Sequence, residues 1–311
     1  ITYQTAWLKA HYPAEFMAAL MTLDQGNTDK LAVFKQAVDQ MGLTMLPPDI
    51  NRSGPDFWVE DGSLRYSLSA LKGVGEGAIH HIVDERRSNG PYKSVTDFLI
   101  RIDPKWINRR QLEVMAAAGA FDGLYPNRAS LYNGADQMLA FAQRHAEERT
   151  SGQTSLFGGA NAAPETDADI LLPQNVRWDP LEKLQYEFEA VGFYLSAHPL
   201  DTRRAQLERM GVTPFAGIAA VMNGRNVARV NMAGVVIRKQ EKMSKSGRKF
   251  AFLQMSDSSG VFEVTVFSDE LARSRDIMSA GSSLLFSADA EMQDDLIRLT
   301  IKEARPLDET L

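Results

Sequence analysis

Apolar positions recur at helical spacing over roughly the first 210 residues and change to a strand-like pattern in the last hundred. Residues 1–42 are predicted to be helical, with Pro13 at the start of one amphipathic helix, Thr28 as the cap of another and Gly42 at its end. Asp61-Gly62 predicts the turn of a β-hairpin between residues 57–60 and 63–66.

Helix start signals continue after the hairpin. Three capping boxes are predicted, each a polar cap with a partner three residues later: Ser94 with Asp97, Asn108 with Gln111, and Asp179 with Glu182. Asn127 is predicted to begin a long helix whose buried stripe contains Leu131, Ala135, Met138, Leu139 and Ala142.

The last hundred residues predict five strands, at 227–237, 249–256, 261–267, 282–290 and 296–302, with a helix at 268–278. Three strands, a helix and two strands is the order of the oligonucleotide-binding (OB) barrel. Phe250, Phe252 and Phe262 are each expected in its core, because a small barrel must fill its interior.

Composition limits the classes of function. The 311 residues contain no cysteine, 44% are hydrophobic and 24% charged, and no apolar run has transmembrane length. We therefore expect a cytoplasmic protein of two to three domains that does not depend on disulfides or the membrane. The net charge of −6 means that any binding of nucleic acid must come from local clusters.

The most informative stretch is Leu-Lys-Gly-Val-Gly-Glu-Gly-Ala-Ile at residues 71–79. Alternating glycines open into a predicted helix, whose first amides lack intrahelical partners and attract anions. The spacing is similar to that of the helix-hairpin-helix motif, which grips the backbone of DNA, although an ordinary glycine-rich turn is the alternative. The candidate duplex-binding residues are Lys72, Gly73, Val74, Gly75, Glu76 and Gly77.

Residues 107–122 are compatible with a second, degenerate hairpin. Arg109 and Arg110 are the phosphate-binding candidates if that hairpin forms. Plain helical scaffold explains the same stretch equally well.

Residues 151–173 are rich in glycine, alanine, proline and acidic residues, which predicts a linker. It contains one apolar pair within Gln153, Thr154, Ser155, Leu156 and Phe157. We interpret these five residues as a docking peptide. The alternative is that the pair folds back onto its own domain.

Eight basic residues lie between positions 225 and 249 against the single acid Glu241. Cations beside aromatic rings suit single-stranded nucleic acid, because the charges follow phosphates and the rings stack on bases. A solvated loop beside core phenylalanines is the alternative. The candidate single-strand-binding residues are Arg238, Lys239, Lys242, Lys245, Arg248, Lys249 and Phe252.

Six stretches carry a family resemblance in register: residues 1–16, 46–51, 71–77, 108–110, 118–122 and 192–200. They resemble the C-terminal half of the C-family bacterial replicative polymerases, the DNA polymerase III alpha subunits, over essentially the whole chain. The implied fold is multidomain α+β. Its domains are the end of the fingers domain at 1–46, a helix-hairpin-helix duplex- and clamp-binding domain at 47–160, a linker with connecting helices at 161–211, and a five-stranded OB barrel at 212–311.

The resemblance also implies function. The parent chain would be a DNA-directed DNA polymerase that binds primer–template duplex, single-stranded template and the beta sliding clamp, with Gln153 at the edge of a clamp pocket and Leu156 and Phe157 inside it. No stretch matches the catalytic aspartates of the palm, which hold Mg²⁺. We therefore expect no catalytic residue, metal site or cofactor here, and contacts to other polymerase III holoenzyme subunits through regions that this chain lacks.

Two other functions fit the sequence. A free-standing DNA repair or junction factor would use the same hairpin and barrel, and an error-prone C-family polymerase would share this half of the molecule.

Overall fold

The computed structural model describes residues 2–151, 170–244, 247–293 and 296–307, without the side chains of Thr150 and Ser151. The chain divides into two compact units, residues 1–196 and 197–311, which we call the hairpin unit and the barrel unit. The break lies inside the segment 161–211 that was predicted to connect domains, and the finer four-domain division stays a prediction.

The hairpin unit is mainly helical. Its helices are α1 (Thr2–His11), α2 (Pro13–Leu23), α3 (Thr28–Gln40), α4 (Glu76–Asn89), α5 (Val95–Arg101), α6 (Arg109–Ala118), α7 (Arg128–Asn133), α8 (Ala135–Ser151) and α9 (Pro180–Val191).

The caps follow the sequence closely. Asn108 and Asp179 form complete capping boxes with Gln111 and Glu182. Ser94 forms half of its predicted box: its side chain accepts from the amide of Asp97, whose carboxylate accepts from the amide of Lys93.

Two helix boundaries differ from prediction. Asn27, not Thr28, caps α3, because its side chain accepts from the amide of Lys30. The single long helix predicted from Asn127 is two helices, α7 and α8, interrupted at Gly134. A Cβ at Gly134 would stand 2.7 Å from a methyl carbon of Leu172, so the later chain packs closely against this break.

A small sheet follows α3. The predicted hairpin is confirmed: β2 (Trp58–Glu60) and β3 (Ser63–Arg65) are antiparallel, and Asp61 and Gly62 both have positive φ, as a type I′ turn requires. The sequence did not predict β1 (Met45–Leu46), which pairs in parallel with β3.

A buried ion pair ties α9 to the middle of the hairpin unit. The Arg128 side chain is 6% exposed and that of Glu187 1% exposed, with 3.1 Å between Nη1 and Oε2. Arg128 also donates to the carboxylate of Asp122. Burial alone would lower the pKa of Arg128, but the carboxylates of Asp122 and Glu187 outweigh it and raise that pKa. The other oxygen of Glu187 accepts from the amides of Leu195 and Ser196. This network fixes the end of α9 and the chain that follows it.

The barrel unit contains the predicted OB fold. Its elements are α10 (Arg204–Arg209), α11 (Ile218–Met222), β4 (Val227–Met243), β5 (Lys249–Asp257), β6 (Gly260–Val266), α12 (Ser268–Ser274), β7 (Ser283–Gln293) and β8 (Leu296–Pro306). The strands form a closed barrel in the order β4-β5-β6-β8-β7, and α12 lies between β6 and β7 along the chain.

The barrel core contains residues from all five strands and two from α11, Ile218 and Met222. Phe262 is buried in it as predicted. The core placement predicted for Phe250 and Phe252 is wrong: both are half-buried, and they alternate along β5 with Ala251 and Leu253, which face the interior. Both rings therefore lie on the outer face of the barrel.

None of the helices in the described ranges is long and apolar enough to cross a membrane.

Candidate nucleic-acid interface

The glycine-rich turn ends at an open helix start. Gly73 has a φ of +76°, and Gly75 is the N-cap of α4 without a capping side chain. Gly73, Gly75, Glu76 and Gly77 are exposed, and among the residues that the structure describes none accepts a hydrogen bond from their amides. These donors and the positive end of the helix dipole face solvent, which suits an anion. Glu76 can contribute only its amide, because its carboxylate would repel a phosphate.

Lys72 contacts α9 through both its backbone and its side chain. Its amide donates to the carbonyl of Ala190 at 3.0 Å, and its ammonium lies 5.6 Å from the ring centre of Phe188. Burial lowers the pKa of Lys72, while the carboxylates of Glu189 and Asp29 oppose the shift. The aliphatic part of the Lys72 side chain packs on the end of α9, near Phe188 and Gly192. The residue is nevertheless exposed, next in sequence to the glycines.

The start of α6 lies beside the start of α4. A Cβ on Gly75 would stand 3.8 Å from Nε2 of Gln111, in the first turn of α6. The side chains of Gln111 and Asn108 each accept a hydrogen bond from the other residue's backbone amide, which orders this turn. Among the residues that the structure describes, none accepts a hydrogen bond from the amides of Arg109 and Arg110. Two helix N-termini therefore meet at one surface.

Arg109 and Arg110 are the first two residues of α6, and about 60% of each side chain is exposed. Both already have carboxylate partners. Nε of Arg109 lies 2.7 Å from Glu113 and Nη1 lies 2.8 Å from Asp136. The hydrogen bond to Glu113 and the negative charge of Asp136 raise the pKa of Arg109. Arg110 contacts the same Glu113 at 3.5 Å. A phosphate at this site would have to compete with, or join, existing ion pairs.

Trp106 packs on the first turn of α4 at Gly77, lies two residues before the N-cap of α6, and was not predicted as a site residue. Its ring is stacked with that of His81 at 6.0 Å between centroids, and 44% of the residue is exposed. The signal that the sequence offered is a single large aromatic residue in the loop before α6, two residues before its capping box.

On the barrel unit, the outer face of β4, β5 and β6 combines cations with aromatic rings. Phe252 lies between Gln240 of β4 and Thr265 of β6 in register, and Lys242 pairs with Phe250. The ammonium of Lys242 is 5.0 Å from the ring centre of Phe252. Arg238, two residues from Gln240 and exposed, lies on the same face. Half-buried rings beside exposed cations are the elements of a stacking surface.

The remaining predicted cations are placed differently. Lys239 lies on the opposite face of β4, where its ammonium donates to the carbonyl of Arg275 and contacts Glu241 at 3.3 Å. Arg275 also bonds Glu241 and lowers the pKa of that carboxyl. Arg248 and Lys249 are exposed at the turn into β5. Lys245 lies outside the described residues.

The predicted docking peptide, residues 153–157, also lies outside the described residues. Residues 170 and 172 pack within the hairpin unit: Leu172 is buried, and the amide of Ile170 donates to the hydroxyl of Thr96. The end of the segment predicted as linker therefore packs on the hairpin unit.

Two family models match the chain. A helix-hairpin-helix motif covers residues 42–131, which include both helix starts described above. An OB-fold nucleic acid binding domain covers residues 230–307.

Curated relatives match along nearly the whole chain. A DNA polymerase III subunit alpha from Caulobacter vibrioides is 41% identical over 100% of this chain and 27% of its own length. Those of Vibrio cholerae and Escherichia coli K12 are 36% and 35% identical, over 94% and 99% of this chain. The chain spans about a quarter of the length of these relatives, 25–27%. The chain is therefore homologous to a C-terminal region of DNA polymerase III alpha subunits, a region that combines a helix-hairpin-helix motif with an OB fold.

Proposed function

We propose that this chain is the DNA- and clamp-binding part of a replicative DNA polymerase. The hairpin unit would bind primer–template duplex, the barrel unit would bind single-stranded template, and residues 153–157 would bind the beta sliding clamp. The observation that carries the proposal is the meeting of two helix N-termini, at Gly75 and Asn108, inside the segment matched by the helix-hairpin-helix model.

The duplex would be held through its phosphates. Exposed amides at the start of α4 would donate hydrogen bonds to a phosphate without reading a base, and the neighbouring Lys72 would add a positive charge. Such binding is independent of sequence and weakens with salt, because each phosphate contact releases counterions. A polymerase needs this behaviour, since it must follow every sequence that it copies.

The single strand would lie across the outer face of β4 to β6. Phe252 offers a ring for base stacking, and Lys242 and Arg238 offer charges for phosphates. Stacking of one base on an aromatic side chain contributes about 1–3 kcal/mol without strong sequence preference.

Clamp binding rests on the sequence of residues 153–157. The adjacent Leu156 and Phe157 would fill an apolar pocket, and the amide of Gln153 would bond its edge. A short peptide binds weakly alone, but a ring around the same DNA holds it at high effective concentration.

We assign DNA synthesis itself to the larger polymerase. No group of three or more His, Cys, Asp or Glu side chains within residues 2–149, 170–244, 247–293 and 296–307 is arranged to hold a metal ion. By the resemblance, Mg²⁺ ions would be bound by palm carboxylates of the larger polymerase, and other holoenzyme subunits would bind through regions that this chain lacks.

A glycine substitution tests the duplex site. Gly75 has a φ of −74°, and a Cβ there meets nothing closer than 3.8 Å, so the fold tolerates Gly75→Ala while the added methyl obstructs a phosphate. We expect it to raise the dissociation constant for a fluorescent duplex at least 10-fold, measured by anisotropy over a range of salt concentrations.

Gly26→Ala is the matched control, because Gly26 is exposed and has open space around its own Cβ position. It should leave duplex affinity unchanged. If both variants bind duplex like the unmodified chain, or if the unmodified chain shows no salt-dependent duplex binding, the proposed duplex site is wrong.

A further inference from the structure

We propose that Trp106 contacts duplex DNA directly, with its indole ring against a deoxyribose between phosphates bound by the starts of α4 and α6. The inference deepens the proposed duplex function and rests on it. It adds an apolar, uncharged contact to a site otherwise made of amides and cations.

The first two turns of α4 hold the Trp106 ring in place. Its Cζ3 atom lies 3.1 Å from the position that a Cβ on Gly77 would occupy, so the glycine allows indole and helix to approach each other. On the next turn of α4, His81 stacks with the ring at an interplanar angle of 24°. His81 Nε2 also accepts a hydrogen bond from the amide of Asp103, at the start of the same loop.

The loop holds the indole from its own side as well. The amide of Trp106 donates to the carbonyl of Asp103 at 3.0 Å. Lys105 is tied back to the Asp103 carboxylate at 2.7 Å, and its ammonium lies 5.9 Å from the indole centre. Even so, 44% of Trp106 is exposed. A rigid, exposed aromatic ring loses little conformational entropy when it is covered by a partner.

The chemistry of the surroundings selects the partner. The ring packs on Gly77 in the first turn of α4, and the capping box of α6 begins two residues after Trp106. A DNA strand presents phosphate, deoxyribose and phosphate in turn, and the sugar is the least polar part of this backbone. An apolar ring between two anion-binding turns matches that alternation, and it contacts every sequence alike.

The first measurement is duplex affinity against salt. We expect Trp106→Ala to raise the dissociation constant for a duplex roughly 5-fold, since a contact of this size buries modest apolar area. The slope against salt should stay unchanged, because no charge is lost. Trp106→Phe should recover most of the affinity. Trp58→Ala removes a tryptophan of similar exposure, 42%, from β2, and should have no effect.

The second measurement separates contact from positioning. In a variant whose other tryptophans, Trp7, Trp58 and Trp178, are replaced by phenylalanine, Trp106 reports alone. Duplex should quench or shift its emission and protect it from acrylamide. Unchanged emission and acrylamide access on binding would overturn the inference even if Trp106→Ala weakens affinity, because the ring would then act only through the loop.

The outcomes distinguish the two proposals. The inference fails and the duplex function stands if the unmodified chain binds duplex, Trp106→Ala binds it with the same affinity, and duplex does not change the emission of Trp106. If the unmodified chain binds no duplex, both fail together.

Discussion

Gly42 and Gly119 have similar backbones and different surroundings. Both follow a helix with positive φ, +71° and +84°, and in both cases the next amide bonds a carbonyl five residues earlier. A Cβ on Gly42 meets nothing within 4 Å, but one on Gly119 would stand 2.2 Å from Nη2 of the buried Arg128. Replacing Gly42 by alanine therefore adds only backbone strain. Replacing Gly119 by alanine adds the same strain and also displaces Arg128.

We expect Gly42→Ala to reduce the free energy of unfolding by about 1–2 kcal/mol, and Gly119→Ala to reduce it clearly more. Urea denaturation of the two variants measures the difference. Equal losses would show that Arg128 relaxes at no cost.

His198 predicts a dependence of stability on pH. Its Nδ1 accepts from the amide of Leu200 and its Nε2 lies 3.0 Å from the hydroxyl of Ser256, so the buried ring is neutral. Burial lowers the pKa of His198 to about 4, although Asp201 opposes the shift. In the unfolded chain the pKa is about 6.5. Between these values the unfolded state binds more protons, so stability falls as the pH falls.

The loss between pH 7 and pH 4 should reach roughly 3 kcal/mol for this group. His198→Asn keeps an acceptor near Leu200 and removes the titration. Its urea-unfolding free energy should therefore change less over that pH range. Identical pH profiles for the two proteins would contradict the assignment.

Residue-level features with local partners were predictable from sequence. The capping boxes at Asn108 and Asp179 join groups three residues apart, and the Asp61-Gly62 turn needs only its own two residues. The direction of Phe252 was not predictable. Residues 250–253 are all apolar, so the alternation that identifies the inner face of a strand is lost there.

At the scale of elements, α9 supports the residues of the proposed duplex site. It carries Glu187, which pairs with the buried Arg128, and Ala190, whose carbonyl holds the amide of Lys72. A change in α9 should therefore affect both the stability of the hairpin unit and the order of the glycine-rich turn.

Glu187→Gln should reduce the free energy of unfolding by about 3 kcal/mol, because it leaves the buried Arg128 with one carboxylate fewer. Asp39→Asn is the control in the same unit. It breaks an exposed pair with Lys35 and should cost at most about 0.5 kcal/mol. Similar small losses for both variants in urea denaturation would show that the buried pair contributes little.

The two faces of β4 offer a matched pair of lysines. Lys242 lies over Phe252 on the outer face, whereas Lys239 is bonded to Arg275 and Glu241 on the other. We expect Lys242→Ala to weaken binding of a single-stranded oligonucleotide severalfold more than Lys239→Ala, since only the former removes a charge beside the stacking ring. Anisotropy at fixed salt measures both. Equal weakening would indicate that general charge, not this face, binds the strand.

Elements that depend on distant partners were missed. The two residues of β1 are a strand only because β3, almost twenty residues later, pairs with them. The interruption between α7 and α8 lies where Leu172 packs on Gly134. The meeting of the α4 and α6 starts is a tertiary contact as well, which is why the sequence left the second hairpin open.

At the scale of the whole molecule, one chain contains the helix-hairpin-helix match and the OB-fold match, with the proposed clamp peptide between them in sequence. If both segments bind one DNA as proposed, each raises the effective concentration of the other, so modest affinities would combine. Homologous alpha subunits align with this chain across both matched segments and the residues between them.

The clamp peptide gives a prediction at this scale. Replacing Gln153, Leu156 and Phe157 together by alanine should abolish binding to a beta sliding clamp in surface plasmon resonance and leave duplex affinity unchanged. Leu171→Ala is the control, because Leu171 is an 88% exposed leucine near the end of the same segment. Undiminished clamp binding by the triple variant would reject the peptide.

The division of labour between the two units is tested most directly by one set of anisotropy titrations. The unmodified chain, Gly75→Ala and Phe252→Ala would each be titrated with a duplex and with a single strand at the same salt concentration. We expect Gly75→Ala to lose duplex affinity and keep single-strand affinity, and Phe252→Ala to lose single-strand affinity and keep duplex affinity. Proportional losses on both ligands for both variants, or no loss for either, would contradict it.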